Sequence, residues 1–288
     1  MSSTIKIRID GNRYRIPKED DIRSAKDFIL QRNENARALA SRIDEILDDI
    51  AEQIVTICYR YDVDPLTFTI SSDYNEDMMN EIAEVMDQAE ELILNLIYEY
   101  STRVTADKDR MAFLVAWIQT LGRNNRNQEE TLYGYLFKTM KDYEAAIAAL
   151  RYKEVSMADA ITKIKMYKHQ IYSMPEIMEA FKHSQDFSAQ YIQTLGVQAG
   201  AVGLSNSGAT NVTNMAKTTL QMAWMRGVQM EWDEDGAVGY MCFRGSTYEC
   251  PKCDDVCNIL HDIKGQMVLP VHPNCCCYAV PIYPIETE

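Results

Sequence analysis

The sequence predicts a mostly α-helical protein that ends in a small α+β module. Apolar residues recur at helical spacing through most of residues 1–195, a stretch of small residues without that periodicity follows at 196–213, and a short apolar strand then precedes a cluster of cysteines. The 288 residues, 47% of them hydrophobic and 25% charged, are enough for two ordinary domains with a sizeable core. We therefore expect a helical domain with an N-terminal β-hairpin at 1–195, a flexible linker at 196–213 and the module at 214–288.

Two turn signals divide the beginning of the chain. Isoleucines that alternate with polar residues lead into Asp10-Gly11, a dipeptide that favours a two-residue turn, so a β-hairpin is predicted at 4–16. A long amphipathic helix is predicted from about 21 to 61, where Asp64-Pro65 breaks the helical pattern.

Helical stripes and helix-end signals predict the elements that follow. Ser156 and Asp159, three residues apart, resemble a capping box, and Pro175 suits the first turn of a helix. The remaining predicted elements are helices at 76–103, 106–121, 128–153, 157–172, 175–194 and 214–231 and short extended segments at 66–70 and 238–243.

The composition restricts the location and the partners. The chain has no apolar run of about 18 residues, and its N-terminus lacks the apolar stretch of a secretory signal, so we expect a cytosolic protein. The formal net charge of −14 is repelled by nucleic acids and anionic membranes at long range. Protein partners, a second copy of the chain among them, are therefore favoured over direct binding to nucleic acid or to a membrane.

The cysteines are concentrated near the carboxyl end. Only Cys58 of the eight lies outside the last fifty residues, and the other seven are Cys242, Cys250, Cys253, Cys257, Cys275, Cys276 and Cys277. A secreted disulfide scaffold spreads its cysteines over the domain that they staple. Clustering in a chain without an export signal indicates a metal site instead.

Two pieces of the cluster have metal-ligand spacing. Cys250 and Cys253 form a C-x-x-C turn, which supplies two ligands, and H-P-N-C-C-C at 272–277 offers ligands for two more positions. If the last three residues are extended, the first and third point one way and Cys276 points to the other face. The candidate ligands of a structural Zn²⁺ are therefore Cys250, Cys253, His272, Cys275 and Cys277, with Cys257 as a substitute.

Three other interpretations of this cluster stay open. The first is a set of buried free cysteines that bind no metal. A disulfide between the two pieces is the second, and a catalytic metal is the third. No histidine is followed by the glutamate of the H-x-E motif that zinc deaminases pair with P-C-x-x-C, and H-E-x-x-H, G-x-S-x-G and Walker motifs do not occur. We therefore assign no catalytic residue.

Structural zinc contributes on the order of 10–16 kcal/mol in small zinc peptides, which could offset the entropy of ordering a short tail.

At these residues the chain resembles the phage Mu F-like family, the minor head or head-morphogenesis proteins of tailed phages. Members tend to end in a C-P-x-C turn, a glycine and an H-P-N-C-x-C motif, which correspond here to Cys250–Cys253, Gly265 and 272–277. The resemblance covers about residues 214–283. Cys276 stands where the family usually carries an arginine.

The resemblance implies a structural role in head assembly. Family members are minor capsid components that associate with the portal or with the inside of the procapsid. The implied partners are the portal and other capsid proteins, and the implied locations are the host cytoplasm during assembly and then the virion. Two rival functions are an enzyme, either a nuclease-like toxin or a transferase, that uses the Cys/His cluster, and a zinc-binding adaptor unrelated to phage.

Overall fold

A computed structural model of the protein describes residues 6–9, 12–15, 17–61, 75–103, 107–124, 131–182, 207–272 and 275–284. The predicted fold class is confirmed, because the chain is mostly helical with a small antiparallel sheet near its carboxyl end. The helices are α1 Glu19–Arg60, α2 Glu76–Ser101, α3 Lys108–Asn124, α4 Leu132–Tyr152, α5 Met157–Tyr167, α6 Pro175–Lys182, α7 Gly208–Glu234 and the short α8 Pro251–Asp254. The strands are β1 Lys6–Ile9, β2 Asn12–Arg15, β3 Gly239–Phe243, β4 Leu260–Asp262 and β5 Tyr278–Ile282.

The predicted N-terminal hairpin and long helix are both present. β1 and β2 pair antiparallel, with Ile9 opposite Asn12, while the predicted turn dipeptide and the extended segment at 66–70 lie outside the described residues. α1 runs for 42 residues with acidic side chains in its first turn and Arg60 in its last, an order that suits the helix dipole. Its buried stripe has the three- and four-residue spacing of one helix face and consists of Ile29, Arg32, Ala36, Leu39, Ile43, Leu47, Ile50 and Ile54.

The helix predicted at 157–172 ends earlier in the structure than the sequence predicts. α5 starts as expected at the Ser156 cap, whose hydroxyl accepts the Asp159 N–H at 3.2 Å. It ends at Tyr167, however, and a 3₁₀ segment continues to Ser173, because the backbone of Gln170 departs from helical geometry. The region predicted as one helix at 157–172 is therefore an α-helix followed by a kinked turn.

α7 begins at Gly208, inside the range predicted as a linker. A Cβ atom at this position would lie 2.4 Å from the backbone nitrogen of Thr139, so only glycine allows α7 to approach α4 this closely. The buried carboxylate of Asp142 accepts the Gly208 N–H at 2.7 Å. Residues 208–213 thus belong to α7 and not to a flexible linker, and Gly208 allows the close helix packing. Residues 196–206 lie outside the described residues.

The chain forms two compact units that alternate along the sequence. One unit comprises Met1–Leu39, Ile97–Ile118 and Lys217–Glu288, and the other comprises Ala40–Leu96 and Gln119–Ala216. This division does not coincide with the predicted boundary between a domain at 1–195 and a module at 214–288. The unit with the seven C-terminal cysteines also contains the first part of α1, because Ile29 of that helix is buried in the same core.

The three-stranded sheet places both cysteine-containing stretches at one end of β3. The strand order is β4-β3-β5 and both pairings are antiparallel, with Phe243 opposite Tyr278. The chain leaves β3 after Phe243 towards the C-x-x-C turn, and it enters β5 directly after Cys277. The register therefore brings the two candidate ligand stretches together. Among the helices within the described ranges, none has the length and apolar character that crossing a bilayer requires.

Candidate metal centre

The first ligand stretch is a tight turn around α8. Cys250 precedes the helix, and its carbonyl oxygen accepts the N–H groups of Cys253 and Asp254, both at 3.0 Å. Pro251 occupies the first helical position, where its missing N–H costs no hydrogen bond and its fixed φ suits the helix. The guanidinium of Arg244 also donates to the Cys250 carbonyl at 3.1 Å. The C-P-x-C sequence is thus held by backbone bonds that leave both thiols available.

The second ligand stretch turns at His272 and then extends. The N–H of Cys275 donates to the His272 carbonyl at 3.1 Å. Cys275 and Cys277 are 0% and 3% exposed, whereas Cys276 is exposed to solvent. This alternation agrees with the prediction that the middle cysteine of the triplet points away from the site.

The two stretches meet through their side chains. Nε2 of His272 lies 3.4 Å from Sγ of Cys250 and 3.2 Å from Sγ of Cys253. The ligand atoms of Cys250, Cys253 and His272 form one group and those of Cys253, Cys275 and Cys277 a second, and the atoms within each group lie within 4.8 Å of one another. Ligand atoms at zinc–sulfur and zinc–nitrogen distances around a tetrahedral ion lie about 3.5–3.8 Å apart. The structure therefore assembles all five predicted ligand residues into a cluster that could hold a metal ion.

The other cysteines lie outside these two groups. Sγ of Cys257, the predicted substitute ligand, lies 3.9 Å from Sγ of Cys277. Cys242 is buried on β3, and Cys58 is buried on α1 in the other unit. All eight cysteines belong to the described residues and none forms a disulfide, so the structure offers no support for a covalent link between the two stretches.

The surroundings of Cys253 and Cys275 favour the protonated form of these two thiols. Burial, followed by a hydrogen bond with Cys250, raises the pKa of Cys253 to about 12. A hydrogen bond with Cys277, followed by burial, raises the pKa of Cys275. Thiolate is the form of cysteine that binds metal. A bound cation must therefore stabilise the negative charge of the thiolates, because this environment does not stabilise it.

α7 holds the loop that joins the two stretches. The side-chain amide of Gln229 donates to the carbonyl oxygens of Ile263 and Gly265 at 2.8 and 2.9 Å, and Arg226 donates to the same Gly265 oxygen at 3.0 Å. Gly245, just after β3, lies so close to Cys276 that a Cβ atom there would lie 1.7 Å from the Cys276 carbonyl oxygen. These contacts fix the backbone on both sides of the cluster.

One residue of this centre does not emerge from the sequence analysis. Arg32 on α1 is 0% exposed and donates to the carbonyl oxygen of Cys275, 243 residues away along the chain. Burial lowers the pKa of Arg32 to about 10, although the charges of Cys275, Cys276 and Cys277 act to raise it. The available signal was its place on the apolar stripe of α1, where it is the one charged side chain among the buried positions that the structure describes.

The fold and the cluster define a mostly helical protein with a small cysteine- and histidine-containing module that could hold a metal ion. No model of a protein family, no curated protein and no solved structure matches this chain.

Proposed function

We propose that the module binds one structural Zn²⁺ ion and that the protein is a minor head or head-morphogenesis protein of a tailed phage or prophage. The observation that carries the metal proposal is the convergence of the two distant stretches on Cys253, which belongs to both ligand groups. The phage assignment rests on the spacing of C-P-x-C, Gly265 and H-P-N-C-x-C, and it needs a separate test.

The donor set favours zinc over other common cations. Thiolate and imidazole ligands suit Zn²⁺, whereas Mg²⁺ and Ca²⁺ prefer oxygen ligands. Cys250, Cys253 and His272 form one group of three ligands. In this proposal a fourth ligand, Cys275 or Cys277 from the second group, completes a tetrahedral site. A closed four-ligand site of this kind leaves no position for a substrate, so the ion has a structural role.

The ion would link the C-x-x-C turn at 250–253 to the second ligand stretch at 272–277. The residues around the cluster belong to a hydrophobic core that includes Ile29 of α1, Tyr240 of β3 and Val280 of β5. Because the ligands lie within that core, losing the ion exposes or loosens the same packing that orders the sheet. Metal binding and folding of the module are therefore coupled.

A helical, acidic protein of this kind suits assembly with other proteins. The net charge of −14 disfavours direct contact with packaged nucleic acid and leaves the helical surfaces as sites for the portal or other capsid proteins. In this proposal the zinc module is a rigid part of the protein, and the helices provide the surfaces that bind the partner proteins.

Metal analysis tests the first part of the proposal. The purified full chain is expected to contain one zinc per chain, and removing the metal with a chelator should expose additional cysteines to a thiol reagent. A protein that carries no metal after purification and after incubation with Zn²⁺, and whose thiols react equally with and without chelator, would contradict it.

Particle analysis tests the second part. Procapsids and virions made by the strain that encodes the protein should contain it in a few copies per particle, as mass spectrometry can measure. Deleting its gene should lower the yield of infectious particles, and the wild-type gene supplied in trans should restore that yield. Particles that lack the protein and form normally without it would overturn the phage assignment while leaving the metal proposal intact.

A further inference from the structure

The buried guanidinium of Arg32 lies beside the proposed zinc ligands, although α1 is far from them in sequence. We propose that Arg32 is the positive counter-charge of a thiolate-ligated metal centre and positions its second ligand stretch. This inference rests on the proposed function, because it requires a cation that keeps the cysteines in the thiolate form.

The contacts of Arg32 reach the ligand stretch from α1. Its Nη2 atom donates to the carbonyl oxygen of Cys275 and to Oδ1 of Asn33 at 3.2 Å, and its Nε donates to the same Asn33 oxygen at 3.3 Å. The amide nitrogen of Asn33 in turn lies 3.8 Å from Sγ of Cys276. Two consecutive residues of one helix therefore hold the triplet that contains the ligands.

No carboxylate neutralises this buried charge in the part of the chain that the structure describes. Within the described ranges, the partners of Arg32 are a carbonyl and an amide oxygen, both of them neutral, and its buried Nη1 atom has no hydrogen-bond partner there. A buried guanidinium without an anion is strongly disfavoured, because it loses hydration and gains no ion pair. Among the described residues, the ionisable side chains that act on its charge are those of Cys275, Cys276 and Cys277.

Zinc coordination supplies the missing negative charge. A divalent ion bound by three thiolates and one neutral imidazole carries one excess negative charge, which a single guanidinium neutralises. Such a centre is buried here, so it also needs a nearby cation. Arg244 contacts the cluster through the Cys250 carbonyl, but its charge is paired with the carboxylate of Asp254. Arg32 is the cation that lies against the centre with no carboxylate partner among the described residues. Each charge thus explains the burial of the other.

A purely structural role for Arg32 makes a different prediction. If the residue only tethers α1 through the Cys275 carbonyl, its removal costs the same stability whether or not metal is bound. If it is the counter-charge, its removal costs stability mainly in the zinc-bound protein, since the metal-free protein is relieved of an unpaired buried charge. The difference between the two forms is the coupling between Arg32 and the metal.

The experiment compares three full-length variants with the wild-type protein. Arg32→Met removes the charge and keeps much of the volume, Arg32→Lys keeps the charge, and Arg37→Met is a matched control at an exposed position of the same helix. Zinc affinity is measured by competition with a chromophoric chelator. Unfolding of the zinc-bound and metal-free forms is followed by circular dichroism.

The expected result is a loss of zinc affinity by about 10–100-fold in Arg32→Met, the range seen when groups that support metal ligands are removed. Arg32→Lys should recover most of this loss, and Arg37→Met should bind zinc as the wild type does. Arg32→Met should also lower the unfolding midpoint more in the zinc-bound than in the metal-free form.

Three outcomes would overturn the inference. Unchanged zinc affinity in Arg32→Met would exclude the counter-charge role. An equal loss of zinc affinity in Arg32→Lys and Arg32→Met would also exclude it, since the charge would then not matter. The third outcome is an Arg32→Met variant that loses the same stability with and without metal. A wild-type protein that binds no zinc would instead refute the proposed metal function itself, so the two failures are distinguishable.

Discussion

Replacing Cys253 with serine should remove the metal dependence of stability. The Cys253 thiol belongs to both ligand groups, so its loss leaves each group with two of its three ligand atoms. An ion present at 1,000 times its dissociation constant stabilises the folded state by about 4 kcal/mol, and losing it should cost a comparable amount. For a domain of this size class, each kcal/mol shifts the melting temperature by about 2–4 °C, so the expected decrease is about 8–16 °C.

Two matched serine variants separate loss of the metal from loss of a thiol. Cys276→Ser changes the exposed neighbour of the ligands and should keep both the metal and the wild-type melting temperature. Cys242→Ser alters a thiol that is 0% exposed but belongs to neither ligand group, so it should lower stability while keeping the metal.

The assay is differential scanning calorimetry of each variant with zinc and with a chelator. Wild type, Cys276→Ser and Cys242→Ser should each lose stability on chelation, whereas Cys253→Ser should melt at one temperature in both conditions. If Cys253→Ser responded to the chelator as strongly as Cys276→Ser does, Cys253 would not be the shared ligand.

Three further predictions concern the backbone, the pH dependence and the other unit. Gly245→Ala should destabilise the module by about 1–3 kcal/mol, because its Cβ would overlap the Cys276 carbonyl, while Gly265→Ala, whose nearest contact would be 3.2 Å, should cost less in the same melting assay. Zinc affinity measured by chelator competition should fall as the pH falls, because protons compete for the thiolates. The metal-free protein should instead lose stability as the pH rises from about 9 to about 12, since burial raises the pKa of Cys242 over that range, so the folded state retains a proton that the unfolded state releases. Asp142→Ala should lower stability by about 3–5 kcal/mol without changing zinc content, because it removes the buried partner of Lys138 and of the Gly208 N–H.

The sequence was sufficient to predict those features of the structure that depend on a single local signal. The apolar stripe of α1, the cap at Ser156 and the alternation through 275–277 each depend on neighbours within a few residues. The spacing of C-x-x-C and of the second stretch likewise identified five candidate ligands that the fold brings together.

Features that depend on distant parts of the chain were missed. The segment of small residues at 208–213 looked like part of a linker because it carries no helical stripe, yet Gly208 is small so that α7 can approach α4. Arg32 looked like an ordinary helix residue, although its partner lies 243 residues away. The position of Arg32 on the apolar stripe of α1 indicates burial but not its partner. Both contacts depend on how separate helices and loops pack, which the local sequence does not reveal.

X-ray absorption spectroscopy at the zinc edge of the purified protein examines the proposed coordination itself. We expect a tetrahedral ion with three sulfur ligands at about 2.3 Å and one nitrogen ligand at about 2.0 Å. A zinc shell made only of oxygen and nitrogen atoms would show that the two cysteine stretches do not share a cation, and the proposed role of the module would then fail.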